Sequence, residues 1–297
     1  MTIYKDADKY IINTYKRYPL TIVSGKGSYL FDESGKKYLD FIAGIAVCSL
    51  GHCPEIIHNT LSKQSKKLIH TSNLFYTIPQ AEVAKTLAKK IHSYNKNLPL
   101  YKSFFCNSGA EANESAIKLA RKFHKNKGNE RYEIITFLNS FHGRTYGAIS
   151  ATGQDKFHKG FEPLLPGFKY LPFNDIKSLK KAINKNTSAI MLELIQAEGG
   201  VNLIEKDFLK EIKNICENEG LLLIYDEVQT GIGRTGKFFC FEHFGIEPDI
   251  LTLAKGIAGG LPMGVMMAKE EIANAFEPGN HASTFGGNPL VLEVALE

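Results

Sequence analysis

Cysteine is scarce and unpatterned. The 297-residue chain holds five, Cys48, Cys53, Cys106, Cys216 and Cys240, an odd number without CxxC spacing. Reduced thiols in a cytosol fit this better than a disulfide framework or a thiolate zinc site. Long apolar runs are missing too. The longest weakly polar stretch, 41–51, is too short to span a bilayer. The opening MTIYKDADKY lacks the basic and apolar regions of a signal peptide. A cytoplasmic chain with no membrane partner is the expectation. Charge of one sign is also lacking: 36 Lys+Arg against 31 Asp+Glu leave only +5. The Lys-rich pieces 63–67 and 177–185 have helix spacing and read as solvated faces, so no nucleic-acid partner is expected. Neither G-x-S-x-G nor H-E-x-x-H occurs, and repeats and low-complexity linkers are absent, which argues against a serine hydrolase, a metalloenzyme and a repeat protein. With 43% hydrophobic and 23% charged residues, a disordered chain is excluded.

What is present is alternation. The segments 102–106, 133–138, 189–195, 221–225 and 250–254 read as strands. Between them, Ala112, Ala116, Leu119, Ala120 and Phe123 recur at helical spacing, as do Phe208, Leu209, Ile212, Ile215 and Cys216, with Gly220 placed to end the second helix. The continuous apolar run 221–225 suits a parallel strand covered on both faces. The fold class is therefore α/β with a mostly parallel sheet. Residues 29–32 and 37–41 flank a Gly-containing turn and read as a hairpin outside that sheet.

Ligands of open α/β sheets gather at the carboxyl ends of strands and at helix N-termini. Four such points carry chemistry. AsnSerGlyAlaGlu (107–111) follows a strand and has a capping-box pattern, Ser108 with Glu111. Gly109 and Ala110 there leave first-turn amides open for a phosphate. Asp226 stands at the end of a strongly apolar strand, where a carboxylate needs a cation; Val228 and Gln229 follow it. Lys255 ends another apolar run, where desolvation favours the uncharged amine. In SerPheHisGlyArgThr (140–145), Phe141 can stack on a planar ring and Arg144 can fork onto a carboxylate. Singly, each has a plainer reading: a capped helix, a rim aspartate bound to amides, a snorkelling lysine, a packed Phe beside a surface Arg. Together they make a phosphate cradle, a ring stacker, a counter-ion for a ring nitrogen and an imine-forming lysine, which is the set pyridoxal phosphate needs. GlyIleGlyArgThrGly (231–236) also fits G-x-G-x-x-G, but it does not open a helix directly from a strand, so a nicotinamide oxidoreductase is a weak alternative.

With AlaSerThrPheGlyGlyAsnPro (282–289) added, the chain resembles the class III (fold-type I) pyridoxal-phosphate aminotransferases, and among them the acetylornithine aminotransferases, over nearly its whole length. The resemblance implies covalent attachment of the cofactor at Lys255 and pairing of Asp226 with the pyridinium nitrogen. It places Gly109 and Ala110 on the phosphate, Phe141 and Val228 against the ring, and Gln229 by the ring hydroxyl. Thr284 is implied to reach the phosphate in a neighbouring subunit, making a homodimer with shared sites. Arg144 and Ser283 are implied to contact the substrate, and Glu198 to act as a gate. No metal is implied. The activity implied is transfer of the distal amino group of N2-acetylornithine to 2-oxoglutarate in arginine biosynthesis. Ornithine, succinyldiaminopimelate and 4-aminobutyrate enzymes on the same scaffold are alternatives, as is a truncated relative that only binds cofactor. In domain terms, 1–60 is expected to contribute to a small domain and 61–297 to form the large one. The family's C-terminal small-domain region, with a second carboxylate-binding arginine, is read as missing. The loop Gly51-His52-Cys53-Pro54 is one residue shorter than the usual Gly-His-x-His-Pro, and Ala197 replaces a more usual glycine or proline.

Overall fold

The structure, a computed structural model, describes residues 3–297. Three short strands, β1 (Ile22–Lys26), β2 (Tyr29–Asp32) and β3 (Lys37–Leu39), form an antiparallel sheet near the N-terminus. The expected hairpin is there, with its second strand ending at Leu39.

The main sheet has seven strands: β4 (Tyr101–Cys106), β5 (Glu133–Phe137), β6 (Phe168–Leu171), β7 (Thr187–Leu192), β10 (Leu222–Asp226), β11 (Ile250–Leu253) and β12 (Gly264–Lys269). Two two-residue strands, β8 (Ile195–Gln196) and β9 (Asn202–Leu203), pair separately. The expected strand 189–195 is thus divided: its body is β7, and a turn lets the chain leave the sheet before β8. Strand order is β4-β12-β11-β10-β7-β5-β6. β12 runs against both of its neighbours, β11 and β4, and the other pairings are parallel.

Alternation along the strands builds a core on each face. In β10, Leu223 and Tyr225 join one cluster with the helix Lys206–Glu219, through Phe208, Leu209 and Ile212. Leu222 and Ile224 point the other way, against Ala116, Ile117, Leu119 and Ala120 of the helix Gly109–Asn126. This two-sided cover is why the segment is apolar without alternation. Each fully buried leucine or isoleucine stabilises the fold by about 1.5–3 kcal/mol. Gly220 ends the helix Lys206–Glu219 with φ 63°, the left-handed cap expected of it. The lysine-rich segments are helical only in part: those helices stop at Gln64 and Ala182, so Lys66, Lys67 and Lys185 lie beyond them.

The parallel topology decides where a ligand can sit. The carboxyl ends of β4, β5, β7, β10 and β11, with the amino end of antiparallel β12, share one edge of the sheet.

Candidate active site

A cavity of about 420 Å³ opens at that edge. The loop after β4 brings Asn107, Ser108, Gly109 and Ala110; that after β5 brings Phe141, His142, Gly143 and Arg144. From β7 comes Glu193, from β10 Asp226, Val228 and Gln229, and from β11 Ala254 and Lys255. Met263 and its neighbours, entering β12, close one side, and Val47 is contributed from outside the sheet.

The helix Gly109–Asn126 starts where its cap predicts. Ser108 Oγ accepts the Glu111 N–H at 3.2 Å. Only half of the expected capping box forms, because Glu111 turns its carboxylate to the Asn107 N–H and side chain instead of the Ser108 N–H. The amides of Gly109 and Ala110 have no acceptor among the described residues, as the first turn of any helix requires, and both residues line the cavity. A Cβ on Gly109 would lie 2.5 Å from Val228 Cγ1, so the absent side chain is what lets this turn approach the loop after β10. Two free amides at a positive helix end form a ready anion cradle.

Asp226 is 4% exposed and fully satisfied. Its Oδ2 accepts from Asn113 Nδ2 at 2.8 Å and from His142 Nδ1 at 2.7 Å, and its Oδ1 accepts the Val228 N–H at 3.0 Å. Asn113 is fixed in turn, accepting from Thr252 Oγ1 at 2.7 Å and donating to the His142 carbonyl at 2.7 Å. A carboxyl group held by three donors on the cavity floor is fixed in position to answer a cation. His142 Nε2 is buried with no partner among the described residues.

Lys255 follows β11 by two residues, with φ 49° at the start of a short 3₁₀ turn. Burial lowers its amine below the ordinary lysine value, against the opposing pull chiefly of Asp226 and Glu198. The cavity thus holds an amine shifted towards its nucleophilic form beside a fixed carboxylate. Phe141 makes an edge contact with Phe157, ring centroids 5.6 Å apart, and its N–H donates to Glu193 Oε2 at 2.9 Å. The Arg144 guanidinium lies 4.1 Å from the Phe157 centroid and 5.6 Å from that of Phe141.

Of the eleven residues singled out in the sequence, Gly109, Ala110, Phe141, Arg144, Asp226, Val228, Gln229 and Lys255 line this one cavity. Ser283, Thr284 and Glu198 do not. Ser283 Oγ accepts from Asn107 Nδ2 at 3.2 Å, just behind the cradle. Thr284 is exposed beside exposed Phe285. Glu198 is exposed, yet its charge acts on Lys255 and Glu193. The turn 231–236 opens no helix, so the dinucleotide alternative loses its required context. Gly51-His52-Cys53-Pro54 is tied to the N-terminal hairpin, not to the cavity: His52 Nε2 lies 2.7 Å from Asp40 Oδ2 and the His52 and Gly27 backbones pair.

Three site residues escaped the sequence reading. Asn113 and His142 are polar residues whose role depends on packing against Asp226 from other elements. Glu193 had a signal: it ends the apolar strand 187–192 as Asp226 ends 222–225.

The sequence profile described as "Aminotransferase class-III" matches residues 10–297. The acetylornithine aminotransferase of Caldanaerobacter subterraneus is 55% identical over 97% of this chain and 72% of its own length. That of Aquifex aeolicus is 53% identical over 95% of this chain and 73% of its own. Among solved structures, the ornithine aminotransferase of Toxoplasma gondii superposes with TM-score 0.91 at 33% identity, covering 99% of this chain and 69% of that one. The N-acetylornithine aminotransferase of Stenotrophomonas maltophilia gives TM-score 0.79 at 36% identity, covering 98% and 69%.

Proposed function

The chain belongs to the class III aminotransferases, and on that premise we propose that it uses pyridoxal phosphate to move the distal amino group of N2-acetylornithine to 2-oxoglutarate, giving N-acetylglutamate semialdehyde and glutamate, a step of arginine biosynthesis. The observation that carries this reading is the meeting of Lys255, Asp226 and the open Gly109–Ala110 amides in one cavity.

The residues present fit the cofactor. The two unpaired amides match a phosphate, and the missing Cβ of Gly109 lets their turn sit against Val228. Lys255 supplies the amine for covalent attachment, and Asp226 answers a protonated ring nitrogen. Phe141 and Val228 would flank the ring, and Gln229 would hydrogen-bond its hydroxyl. Bound there, pyridoxal phosphate supplies the electron sink for the pair left when the C–H bond beside the donor's amine breaks.

The remaining chemistry belongs to side chains. Lys255 Nζ, held towards its uncharged form by burial, accepts the proton from the donor carbon and returns it during transfer. Asp226, anchored by Asn113, His142 and the Val228 amide, keeps its charge in place without reorganising. Arg144 rests on the Phe157 face and offers its N–H edge to the donor's carboxylate. Ser283 steadies the Asn107 side of the site, and Glu198 tunes the charge near Lys255 as a gate.

We also assign the chain to a homodimer with shared sites. Thr284 lies outside its own cavity, and Leu74, Phe75, Tyr76 and Phe285 are exposed large apolar residues. The rings of His70 and Phe285 meet at a tilt with centroids 5.3 Å apart, which joins the two stretches into one surface that a second copy can cover. Residues 1–60 are assigned to a small domain and 61–297 to the large one, in a cytoplasmic enzyme. Among the described residues no helix is long and apolar enough to cross a membrane.

The test is a donor panel with 2-oxoglutarate. Acetylornithine is expected to give a higher kcat/KM than ornithine, succinyldiaminopimelate or 4-aminobutyrate; preference for another donor overturns the substrate choice. Borohydride is expected to trap the cofactor on Lys255, and a chain that binds cofactor without turning over any donor favours an inactive relative.

A further inference from the structure

Glu193 is the one ionisable residue on the cavity wall that the chemistry above leaves without a task. It closes β7, next to β10 in the sheet, so its carboxyl stands on the same floor as Asp226. It is 5% exposed. Two carboxyl groups on one buried floor compete for charge. Asp226 has three hydrogen-bond donors, one of them an imidazole N–H. Glu193 has one, the Phe141 N–H on Oε2. Glu193 is therefore the carboxyl with less support for a negative charge.

The surroundings agree on this division. The charged groups acting on Glu193 are Asp226 and Glu198, which favour its neutral form, and Lys255, which opposes it. Burial is the largest influence and holds its carboxyl well above the usual range. Lys255 is itself shifted towards the uncharged amine, which weakens the opposition.

We propose that Glu193 is a positioning residue that works as a neutral carboxylic acid. Its Oε2 fixes the main chain at Phe141 and so aims that ring into the cavity, while its neutrality leaves Asp226 as the single negative charge on the floor. An ionised Glu193 would add a second negative charge beside the ring-nitrogen site and draw the Lys255 proton back. This inference rests on the aminotransferase reading for its purpose, whereas the protonation state rests on the burial of Glu193, its single donor and its place beside Asp226.

The test separates the two. Infrared difference spectra between the wild-type chain and Glu193→Gln at neutral pH should show the C=O stretch of a protonated carboxyl in the wild type only; carboxylate bands in its place overturn the proposal. Glutamine keeps an uncharged acceptor for Phe141, so Glu193→Gln should retain cofactor affinity close to wild type. Glu193→Ala leaves that amide unpaired, and cofactor affinity should fall about tenfold. Equal losses in Gln and Ala would mean that charge is required, and the proposal fails. Thermal melts identify an Ala variant that does not fold, and the Gln spectrum still decides the matter. Borohydride trapping at Lys255 tests the aminotransferase reading separately, since a protonated Glu193 does not depend on it.

Discussion

At the scale of single residues, the site is a contrast between two ionisable groups. Lys255 is desolvated and shifted towards its free amine, whereas Asp226 is given donors on both oxygens. Lys255→Ala should abolish both borohydride trapping and turnover, since no other residue can supply an amine at the end of β11. Undiminished transamination in that variant would refute the assignment. Arg144 touches aromatic faces and leaves its polar edge to the ligand. Arg144→Ala is expected to raise KM for the donor by about tenfold with kcat little changed, the mark of lost ground-state binding. A fall in kcat at constant KM would place Arg144 elsewhere in the reaction.

Elements decide whether those residues can meet. The helix Gly109–Asn126 packs Ala112, Ala116 and Ala120, all fully buried, so its small residues bring it close to the sheet. Its first turn then reaches the loop after β10, where Gly109 meets Val228. Gly109→Ala forces that Cβ to within 2.5 Å of Val228 unless one of them moves. The cofactor dissociation constant is expected to rise about tenfold or more, read by equilibrium titration, because a shifted turn misaligns both amides. Unchanged affinity would show that the phosphate is held by other groups. The loop after β10 is fastened by Glu227, which accepts the Cys240 and Phe241 N–H groups at 2.7 Å each.

Across the whole molecule, Glu227 makes stability depend on pH. It is completely buried, and burial raises its carboxyl to about 8 against the pull of its two amide donors. The folded chain keeps a proton that the unfolded chain releases in the ordinary carboxylate range. That contribution is complete below the ordinary range and is lost as pH rises through about 8. The wild-type Tm should therefore fall relative to that of Glu227→Gln between about pH 5 and pH 8. A constant difference across that window would place the proton elsewhere. Sedimentation should show a dimer, and Phe75→Glu, aimed at the exposed apolar surface, should dissociate it while leaving Lys255 and Asp226 in place. A monomeric wild type would remove the reason given for Thr284 lying outside its own cavity.

Much of this was legible from local pattern. The strand 222–226, the helix starting at Ser108 and the αL stop at Gly220 follow from hydrophobic period, cap and glycine, which act over a few residues. Asp226 and Lys255 were legible because a charged residue ending an apolar strand is costly without a purpose. Sequence alone therefore determined several of the elements, the α/β class and the residue types of a cofactor site, but not β6 or β12. Three things waited for the tertiary structure: that β12 runs backwards between β4 and β11, that Asn113 and His142 converge on Asp226, and that Glu193 shares its floor. Each depends on residues from different elements becoming neighbours, and such contacts are fixed by strand order and packing, which no local spacing encodes.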